Sequence, residues 1–545
     1  MKLLWEHFCT RGWFPTRKPG WRERFYASLS EFGEMTPSSE PKEFTDYLDS
    51  LTNYERLGIP DGAGMDSDEG LDLGRMKRLL ERLGNPHSRF KAVHVAGTKG
   101  KGSTSALLAD ILRAEGYSVG CYTSPHILSI RERMTLGNPG IPVSAEDLTC
   151  LFRSIKHKLD DAIQDEQGAL THFEILTATA FTFFAAKNVE IAIIEAGLGG
   201  ARDATNVFSS SNLAASVITT IGEEHLLALG GSLESIALAK AGVIKQGCPV
   251  ILGGPFLRHI EKILLRKAAS MDSFVISAYN ASTKSTVRRM EVLSGRPYQI
   301  IDLKIQVEAD SCLFLELPNV KLRMLGSHQL QNACTAACTA LCLRNQGWKI
   351  SDNSIRAGLE QTCLPGRTQF LSDIEIQTSG FPKMAMLLDG AHTQASAKAL
   401  ADTVNLTFPN AHLALVVAMA DDKDHSAFAM ELLTGMKQVV TFLTEVDICG
   451  GKSRTASALF LKDRWLQTCK HLGINAQEVT LDEFLESSSH EAEFNDKRVI
   501  VSENSIKKCV IAANTTLQRI PKNGQKITIV TGSLHAVSSV LSMFK

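Results

Sequence analysis

A glycine-rich segment directly after the first strongly apolar run has the residue types of a phosphate-binding loop. It reads Gly97, Thr98, Lys99, Gly100, Lys101, Gly102, Ser103 and Thr104. Backbone N–H groups of such a turn can approach phosphate oxygens, and the helix that follows adds the positive end of its dipole. Lys101 would contact the β- and γ-phosphates, and the hydroxyl of Ser103 or Thr104 would lie close to Mg²⁺. Gly102 separates lysine from hydroxyl, unlike the common loop, so a purely structural turn is the alternative.

Two acidic residues farther along invite chemical roles. Glu195 follows the apolar run Ile191–Ile194, and a carboxylate at a strand end beside a phosphate loop is suited to holding Mg²⁺. The alternative is that Glu195 caps the glycine-rich turn after it. Thr171 and Glu174 precede another apolar run with the spacing of a capping box, which favours a helix start over a catalytic glutamate.

The elements that must position these residues follow an α/β pattern. Continuously apolar runs predict strands buried on both faces of a sheet, and helical patterns lie between them, which indicates a parallel sheet. The predicted strands are Phe90–Ala96, Ser118–Tyr122, Ile191–Ile194, Ser216–Ile221 and Pro249–Leu252. A helix is expected over Ser103–Glu115, ended by Gly116. Alternating apolar residues over Ile300–Leu325 predict an antiparallel ribbon.

A second α/β series follows this ribbon. It begins with a helical pattern at Gln329–Leu343, and its strands are expected at Met384–Leu388, Leu413–Val417, Val439–Leu443 and Ile527–Val530. A chain of 545 residues exceeds one compact domain. We therefore predict an ATP-binding domain over residues 46–325 and a C-terminal domain over residues 326–545.

Composition narrows the class of protein. Hydrophobic residues make up 44% and charged residues 21% of the chain, and the formal net charge is -1. These values are typical of a globular protein and argue against a dedicated nucleic-acid binder. No apolar run approaches the ~20 residues that cross a bilayer. Residues 1–45 open with many arginines and few acids, which predicts a mitochondrial transit peptide, with a disordered basic tail as the alternative.

Several blocks, in order along nearly the whole chain after residue 45, resemble the Mur ligases, specifically the folylpolyglutamate synthase and dihydrofolate synthase family. The phosphate loop, spaced G-T-x-G-K-G-S, carries the resemblance. The further blocks are Thr123–His126, Thr171–Glu174, Glu195–Gly200, Asp203–Asn206, Lys240–Gly242, Leu364–Arg367, Asp389–His392 and Thr531–Ser533. The resemblance implies an α/β fold of Mur-ligase type, in which a P-loop ATPase-type parallel-sheet domain precedes a Rossmann-like C-terminal domain.

The resemblance also implies metal ligands and catalytic groups. Ser124, Glu195 and His225 would bind Mg²⁺, and Lys240, carbamylated by CO₂, would help to hold a second Mg²⁺. Carbamylation requires a lysine with a lowered pKa, because only the neutral amine attacks CO₂. Lys101, Lys240 and His225 are thus the catalytic candidates. Relatives usually have aspartate before the histidine, where this chain has Glu224.

The same resemblance assigns the nucleotide and substrate contacts. Arg367 could neutralise polyphosphate charge and Asp389 could accept from ribose hydroxyls, with an ion pair and an Asx turn as alternatives. The implied ATP contacts in the C-terminal half are Asn332, Arg367 and Asp389. The implied dihydropteroate contacts are Asp72, Leu73, Gly74, Arg75, Thr171, Arg202, Asp203 and Ala204. A solvated acidic loop is the alternative for the first of these segments, which ends the Gly- and Asp-rich stretch Gly58–Gly74.

The resemblance implies ATP-dependent ligation of L-glutamate to 7,8-dihydropteroate through an acyl phosphate, most like the plant mitochondrial enzymes. The alternatives are polyglutamylation of tetrahydrofolate, both activities together, or, more remotely, a P-loop kinase or nucleotide-switch protein. The expected partners are small molecules, ATP and Mg²⁺, with no nucleic acid and no membrane. We expect a monomer in the mitochondrial matrix, with the cytosol as the alternative.

Overall fold

The computed structural model describes residues 40–65, 71–279, 284–293, 295–308, 312–372, 376, 384–447, 454–486, 498–520 and 524–544. The chain divides into two units, Met1–Glu40 and Pro41–Lys545, and every element below belongs to the second. Most of the predicted transit segment, residues 1–39, lies outside the described residues, as does the part of the loop Gly58–Gly74 at residues 66–70. None of the helices in the described ranges is long and apolar enough to span a membrane.

The predicted parallel sheet is present and has eight strands. In chain order they are β1 (Lys91–Ala96), β2 (Val119–Tyr122), β3 (Met134–Leu136), β4 (Ile141–Pro142), β5 (Ile191–Glu195), β6 (Leu213–Ile218), β7 (Val250–Leu252) and β8 (Val275–Ser277). Across the sheet the order is β4-β3-β2-β5-β1-β6-β7-β8, and only β3 and β4 run antiparallel to their neighbours. Every residue of β5 is buried, as its continuous apolar run predicts.

Helices lie before, between and after these strands in the chain. They are α1 (Lys42–Asp49), α2 (Tyr54–Leu57), α3 (Leu73–Arg82), α4 (Lys101–Glu115), α5 (Ala145–Asp165), α6 (His172–Ala186), α7 (Leu233–Ala241), α8 (Arg258–Ser270), α9 (Ser327–Asn345) and α10 (Asp352–Gln361). α4 begins within the glycine-rich loop and ends, as predicted, at Gly116. The φ of Gly116 is 111°, a left-handed conformation that glycine adopts without steric cost.

The predicted antiparallel ribbon is confirmed, and the sheet contains a further strand that was not predicted. β9 (Thr286–Leu293), β10 (Arg296–Glu308) and β11 (Cys312–Leu322) form an antiparallel sheet. β9 has no buried face, so it lacks the alternation by which β10 and β11 are predicted. The helices α9 and α10, which follow Gly326, share a hydrophobic core with the eight-stranded sheet and pack against α4. The domain division at Gly326 stays a prediction.

A second parallel sheet occupies the C-terminal part of the chain. Its strands are β12 (Gln369–Leu371), β13 (Ala385–Leu388), β14 (His412–Val417), β15 (Gln438–Leu443), β16 (Ala476–Thr480), β17 (Arg498–Ser502) and β18 (Lys526–Thr531), in the order β12-β13-β18-β14-β15-β17-β16. Only β12 is antiparallel to its neighbour. The flanking helices are α11 (Gln394–Thr407), α12 (His425–Gly435), α13 (Ala458–His471), α14 (Leu481–Glu486), α15 (Ile506–Arg519) and α16 (Leu534–Leu541). The four predicted strands are present, which confirms the α/β class.

Candidate functional site

The glycine-rich loop lies at the carboxyl end of β1 and is fixed by residues that follow β6. Thr98 N donates to Thr220 O at 2.8 Å, and the Thr219 hydroxyl donates to Lys99 O at 2.7 Å. A Cβ at Gly97 would overlap the Thr219 hydroxyl, so this close approach requires glycine. The loop is therefore a rigid turn at a helix start, which is the geometry of a phosphate site.

Lys101 is the first residue of α4, and its ammonium turns back over the loop. Lys101 Nζ donates to Thr98 O at 3.3 Å, so the charge faces the turn that would hold the phosphates. Ser103 and Thr104 are buried below it, and Thr104 Oγ1 has no hydrogen-bond partner among the described residues. A buried hydroxyl without a partner beside this turn fits the predicted contact with a phosphate-bound cation.

Glu195 ends β5, next to β1, and its carboxylate lies against the start of α4. Glu195 Oε2 accepts from Ser124 N at 3.0 Å, and a Cβ at Gly102 would lie 3.3 Å from the same oxygen. Burial raises the pKa of the Glu195 carboxyl, although the Lys101 ammonium and the Ser124 N–H act in the opposite direction. The predicted loop and carboxylate are thus brought together.

The side chains around Glu195 offer oxygen atoms of the kind that Mg²⁺ binds. The described residues contain no preformed group of three His, Cys, Asp or Glu side chains that could hold a metal ion. Mg²⁺ needs no such cage, since it binds through one or two carboxylates, hydroxyls, water and phosphate oxygens. Glu195 with the Ser124 hydroxyl and a loop hydroxyl supplies this kind of oxygen donor set.

Lys240 lies near the end of α7 and reaches the same loop. Its side chain is buried, and Nζ donates to Gly97 O at 2.8 Å. Burial and then the nearby Lys101 ammonium lower the pKa of Lys240 to about 7. A large fraction of this lysine is therefore a neutral amine near pH 7, which is the form that carbamylation requires.

His225 and its neighbour Glu224 lie beside this cluster. His225 has a left-handed backbone with a φ of 54°. Partial burial lowers its pKa, as do the charges of Lys240 and Lys101, while Glu224 opposes them. Glu224 Oε1 lies 2.6 Å from Lys99 Nζ and 3.9 Å from His392 Nε2. Glu224 is thus paired with the phosphate loop, a contact that the sequence did not reveal.

The three predicted nucleotide residues of the C-terminal half have different surroundings. Asn332 on α9 lies against the phosphate loop, because a Cβ at Gly100 would overlap its side-chain oxygen. The charge of Arg367 acts on the carboxyl of Glu195. Both Asp389 oxygens accept backbone N–H groups, from Thr368 at 2.7 Å and Ala391 at 2.9 Å. The Asx turn considered for Asp389 is therefore present.

Two of the predicted substrate residues meet at the start of α6. Thr171 caps α6 in a reciprocal capping box with Glu174, as predicted. Glu174 also forms an ion pair with Arg75, whose Nε lies 3.3 Å from Oε1. Arg75 and Thr171 therefore share one carboxylate, although they come from distant parts of the sequence.

The other predicted substrate residues have local structural contacts. Asp72 caps α3, the helix that contains Leu73, and its Oδ1 accepts from Gly74 N at 2.7 Å. Asp203 is buried and accepts from Leu198 N at 2.6 Å and Thr205 N at 3.0 Å, which fixes the turn after Glu195. Beside it, Ala204 is buried and Arg202 is half-buried. Asp72 and Asp203 thus have structural contacts of their own, Asp72 as a helix cap and Asp203 as the support of a turn.

The chain is similar to known families and proteins over most of its length. Residues 95–340 match the family described as the Mur ligase middle domain, and residues 372–502 match the dihydrofolate synthetase C-terminal domain. A dihydrofolate synthase/folylpolyglutamate synthase of Bacillus subtilis is 34% identical over 368 residues, covering 66% of this chain and 78% of the relative. A dihydrofolate synthetase of Saccharomyces cerevisiae is 29% identical over 372 residues, covering 68% and 80%.

Among solved structures, a folylpolyglutamate synthase of Thermotoga maritima superimposes with a TM-score of 0.68 at 25% identity. The match covers 92% of this chain and 96% of that one. It includes both parallel sheets, which confirms the Mur-ligase type of fold predicted from the ordered blocks. The chain belongs to the dihydrofolate synthase/folylpolyglutamate synthase family of ATP-dependent, amide-forming ligases.

Proposed function

We propose that this folate-family ligase is a dihydrofolate synthase, which joins L-glutamate to 7,8-dihydropteroate with ATP. One arrangement carries the proposal: the glycine-rich loop, Lys101, Glu195 and Lys240 converge at the carboxyl ends of β1 and β5. Ligands of parallel α/β sheets bind at this edge. The expected products are dihydrofolate, ADP and phosphate.

The chain's own residues account for the first step. A carboxylate oxygen of the pteroate substrate attacks the γ-phosphorus of ATP, the bond to the β-phosphate oxygen breaks, and ADP leaves. Lys101 and the loop N–H groups neutralise the charge that develops on the phosphate oxygens. Mg²⁺ held by Glu195, Ser124 and His225, with a second ion at carbamylated Lys240, would add to this neutralisation.

The second step forms the amide. The neutral amino group of L-glutamate attacks the acyl carbon, the bond to the phosphate oxygen breaks, and the amine loses a proton. Water would destroy the acyl phosphate, so the site must exclude it during this step. Asn332, Arg367 and Asp389 are proposed to hold ATP from the C-terminal half, where they could cover the nucleotide.

The choice of dihydropteroate is supported by the start of α6. Arg75 and Thr171 meet there around Glu174, and together with Asp72, Leu73, Gly74, Arg202, Asp203 and Ala204 they form the proposed pteroate site. The relatives named above include enzymes called dihydrofolate synthase and folylpolyglutamate synthase. Extension of tetrahydrofolate is therefore the second candidate, alone or beside the first.

One assay tests the proposal directly. Purified protein is given ATP, Mg²⁺ and labelled L-glutamate with either 7,8-dihydropteroate or tetrahydrofolate. Labelled dihydrofolate is the expected product, and product from tetrahydrofolate alone would overturn the choice of substrate. ATP turnover that needs no amino acid would instead favour a kinase or a nucleotide switch.

Lys101→Met provides the mechanistic arm of this experiment. We expect at least about 100-fold slower product formation, because the variant lacks the charge over the phosphates. Lys77→Met is the matched control, because Lys77 is an exposed lysine on α3. Full activity of Lys101→Met would refute the proposed phosphate site.

We also propose a location and an assembly state. The arginine-rich opening, residues 1–45, would direct the protein to the mitochondrial matrix, where it would act as a monomer. Fusion of residues 1–45 to a fluorescent protein tests the first point. Cytosolic fluorescence would contradict it and would favour the cytosol.

A further inference from the structure

A completely buried arginine lies outside the groups that the reaction uses. The Arg133 side chain is 0% exposed, and it follows β2 at the end of the turn Ile130–Arg133. Its Nη1 and Nη2 donate to Glu55 Oε1 at 2.8 Å and Oε2 at 2.6 Å, and its Nε donates to His126 Nδ1 at 2.9 Å. A buried charge is tolerated only when it is paired and hydrogen-bonded. Arg133 therefore holds Glu55 and His126 in fixed positions.

His126 belongs to the loop that places Ser124 beside Glu195. This loop, residues 124–129, is held from one side by Glu132, whose carboxylate accepts from Ile127, Leu128 and Ser129 N at 2.8, 2.9 and 2.9 Å. Arg133 holds the remaining part through His126. Two adjacent side chains of one turn thus fix the backbone whose Ser124 N–H donates to Glu195 Oε2.

Glu55 belongs to a segment that joins three parts of the molecule. We call residues 52–56 the Glu55 segment. At one end Thr52 O accepts from His172 N at 2.9 Å, at the start of α6. At the other end Arg454, which lies between β15 and α13, donates from Nη1 to Glu55 O at 2.9 Å and to Arg56 O at 3.3 Å. The segment therefore contacts the start of α6, the connection between β15 and α13, and Arg133.

We propose that Glu55 and Arg133 are positioning residues of the ligase, through which Arg454 and the start of α6 fix the loop beside Glu195. The proposal rests on the proposed role of Glu195 in the phosphate site. Arg133 donates to Glu55 and His126, and its charge also acts on the Glu195 carboxyl, so its proposed role is to position and support that site. Groups that support a metal site from behind its ligands typically change affinity or activity by about 10–100-fold when they are removed.

A purely structural role is the competing explanation, and it predicts a different result. The Arg133 side chain is fully buried, whereas the Glu55 side chain is 37% exposed. Removing Glu55 alone leaves a buried arginine without this partner, whereas replacing both residues removes the buried charge as well. The double variant Glu55→Met/Arg133→Met should therefore fold, while the link to His126 and Ser124 is lost. If the pair has no role in positioning the loop, this folded variant should have the same analogue affinity and the same exchange of residues 124–129 as the unaltered protein.

The experiment compares Arg133→Met, Glu55→Gln and the double variant with Arg131→Met. Arg131 is the matched control, because it is a buried arginine of the same turn whose Nη1 donates to Val143 O. Calorimetry measures the affinity for a non-hydrolysable ATP analogue with and without Mg²⁺. Hydrogen exchange measures the backbone N–H groups of residues 124–129. Thermal unfolding reports whether each variant is folded.

We expect the double variant to keep its unfolding temperature. In the presence of Mg²⁺ it should bind the analogue at least about tenfold more weakly than the unaltered protein, and the N–H groups of residues 124–129 should exchange faster. Arg131→Met should change neither the analogue affinity nor the exchange of residues 124–129. Unchanged analogue affinity and exchange in a folded double variant would overturn the inference. Failure of the proposed phosphate site is distinguishable, because the unaltered protein would then show no Mg²⁺-dependent binding of the analogue, and failure of the proposed substrate is read separately in the assay with dihydropteroate and tetrahydrofolate.

Discussion

The buried Lys240 side chain lowers the stability of the fold, and it also belongs to the proposed phosphate site. Its ammonium is removed from water and lies near a second lysine, Lys101, and the nearest acceptor is the carbonyl of Gly97. A carboxylate partner would have kept the lysine charged. The sequence predicted the need for a lowered pKa from family resemblance, and the structure supplies its cause, which is burial.

The stability of the protein should therefore depend on pH through Lys240. The pKa falls from 10.5 to about 7 on folding, so between these values the unfolded state binds the additional proton. The free energy of unfolding therefore rises with pH across that window. Below pH 7 the buried ammonium lowers the free energy of unfolding by its full amount. We expect Lys240→Met to be more stable than the unaltered protein at pH 6, with the difference shrinking toward pH 10.5.

Urea unfolding at several pH values in CO₂-free buffer measures this difference. Carbamylation would add a charge to Lys240, so the exclusion of CO₂ is necessary. Parallel stability curves for the two proteins would contradict the predicted titration of Lys240.

The limits of sequence reasoning are visible at single residues. The capping box of Thr171 and Glu174 depends on local spacing alone, and the structure confirms it. The ion pair of Glu174 with Arg75 and that of Glu55 with Arg133 join distant parts of the chain. No local pattern marks such pairs, because they depend on how helices and loops pack.

At the scale of elements, the start of α6 combines capping with a proposed substrate contact. Thr171→Ala should cost about 1 kcal/mol of stability through the lost cap. It should also raise the KM for the pteroate substrate severalfold, because the same hydroxyl lies at the proposed site. Thr171→Ser should retain both properties.

Ser144→Ala is the matched control for this prediction. The Ser144 hydroxyl caps α5 by accepting from Asp147 N, without the reciprocal glutamate that Thr171 has, and it lies in no proposed site. We expect a similar loss of stability and an unchanged KM. An equal KM in Thr171→Ala and the unaltered protein would remove Thr171 from the substrate site.

The packing of α9 on the phosphate loop gives a second element-scale prediction. Gly100 has a φ of 84°, and a Cβ there would overlap the buried Asn332 side chain. Gly100→Ala should therefore lower both stability and analogue affinity. Gly347→Ala isolates the backbone strain, because Gly347 has a φ of 95° and no atom within 4 Å of an added Cβ.

Thermal unfolding and calorimetry compare the two glycine variants. The strain of a left-handed alanine is common to both, so the additional loss in Gly100→Ala measures the contact with α9. Equal losses in stability and unchanged analogue affinity would show that this contact is unimportant.

Strands were predictable where burial left a pattern. β5 and β14 contain continuous apolar runs because both faces are covered, whereas the apolar run of β1 is interrupted by the buried His94. The bounds of all three were predicted within a residue or two. β16 lies at a sheet edge and has no buried residue, so its sequence carries no apolar run. Its neighbour β17 was also missed, although its central residues are buried.

At the scale of the whole molecule, the parts of the chain that carry the two parallel sheets contact each other through polar side chains that the sequence could not pair. Glu224 follows β6 and His392 follows β13, and they come within 3.9 Å. The Glu55 segment and Arg454 form a second connection. The ordered family blocks predicted that both sheets contribute to one site, whereas these connecting contacts required the folded chain.

The Glu224 contact leads to a prediction about nucleotide binding across the whole site. Burial by itself would raise the pKa of Glu224, but His392 and Lys99 hold it well below its usual value. The carboxylate is therefore charged, and it competes with phosphate for Lys99. Glu224→Gln should bind a non-hydrolysable ATP analogue severalfold more tightly, because a negative charge facing the phosphates is removed.

Ligation by Glu224→Gln should nevertheless be slower, because His392 and the phosphate loop are no longer held by one carboxylate. Calorimetry with the analogue and steady-state turnover measure the two effects separately. Glu223→Gln is the control, since Glu223 is an exposed neighbour and the change in net charge is the same. Weaker binding by Glu224→Gln than by Glu223→Gln would mean that Glu224 supports the bound nucleotide directly. Tighter binding with slower ligation would instead indicate that Lys99 pairs with Glu224 in the free protein and with the phosphates when the nucleotide is bound.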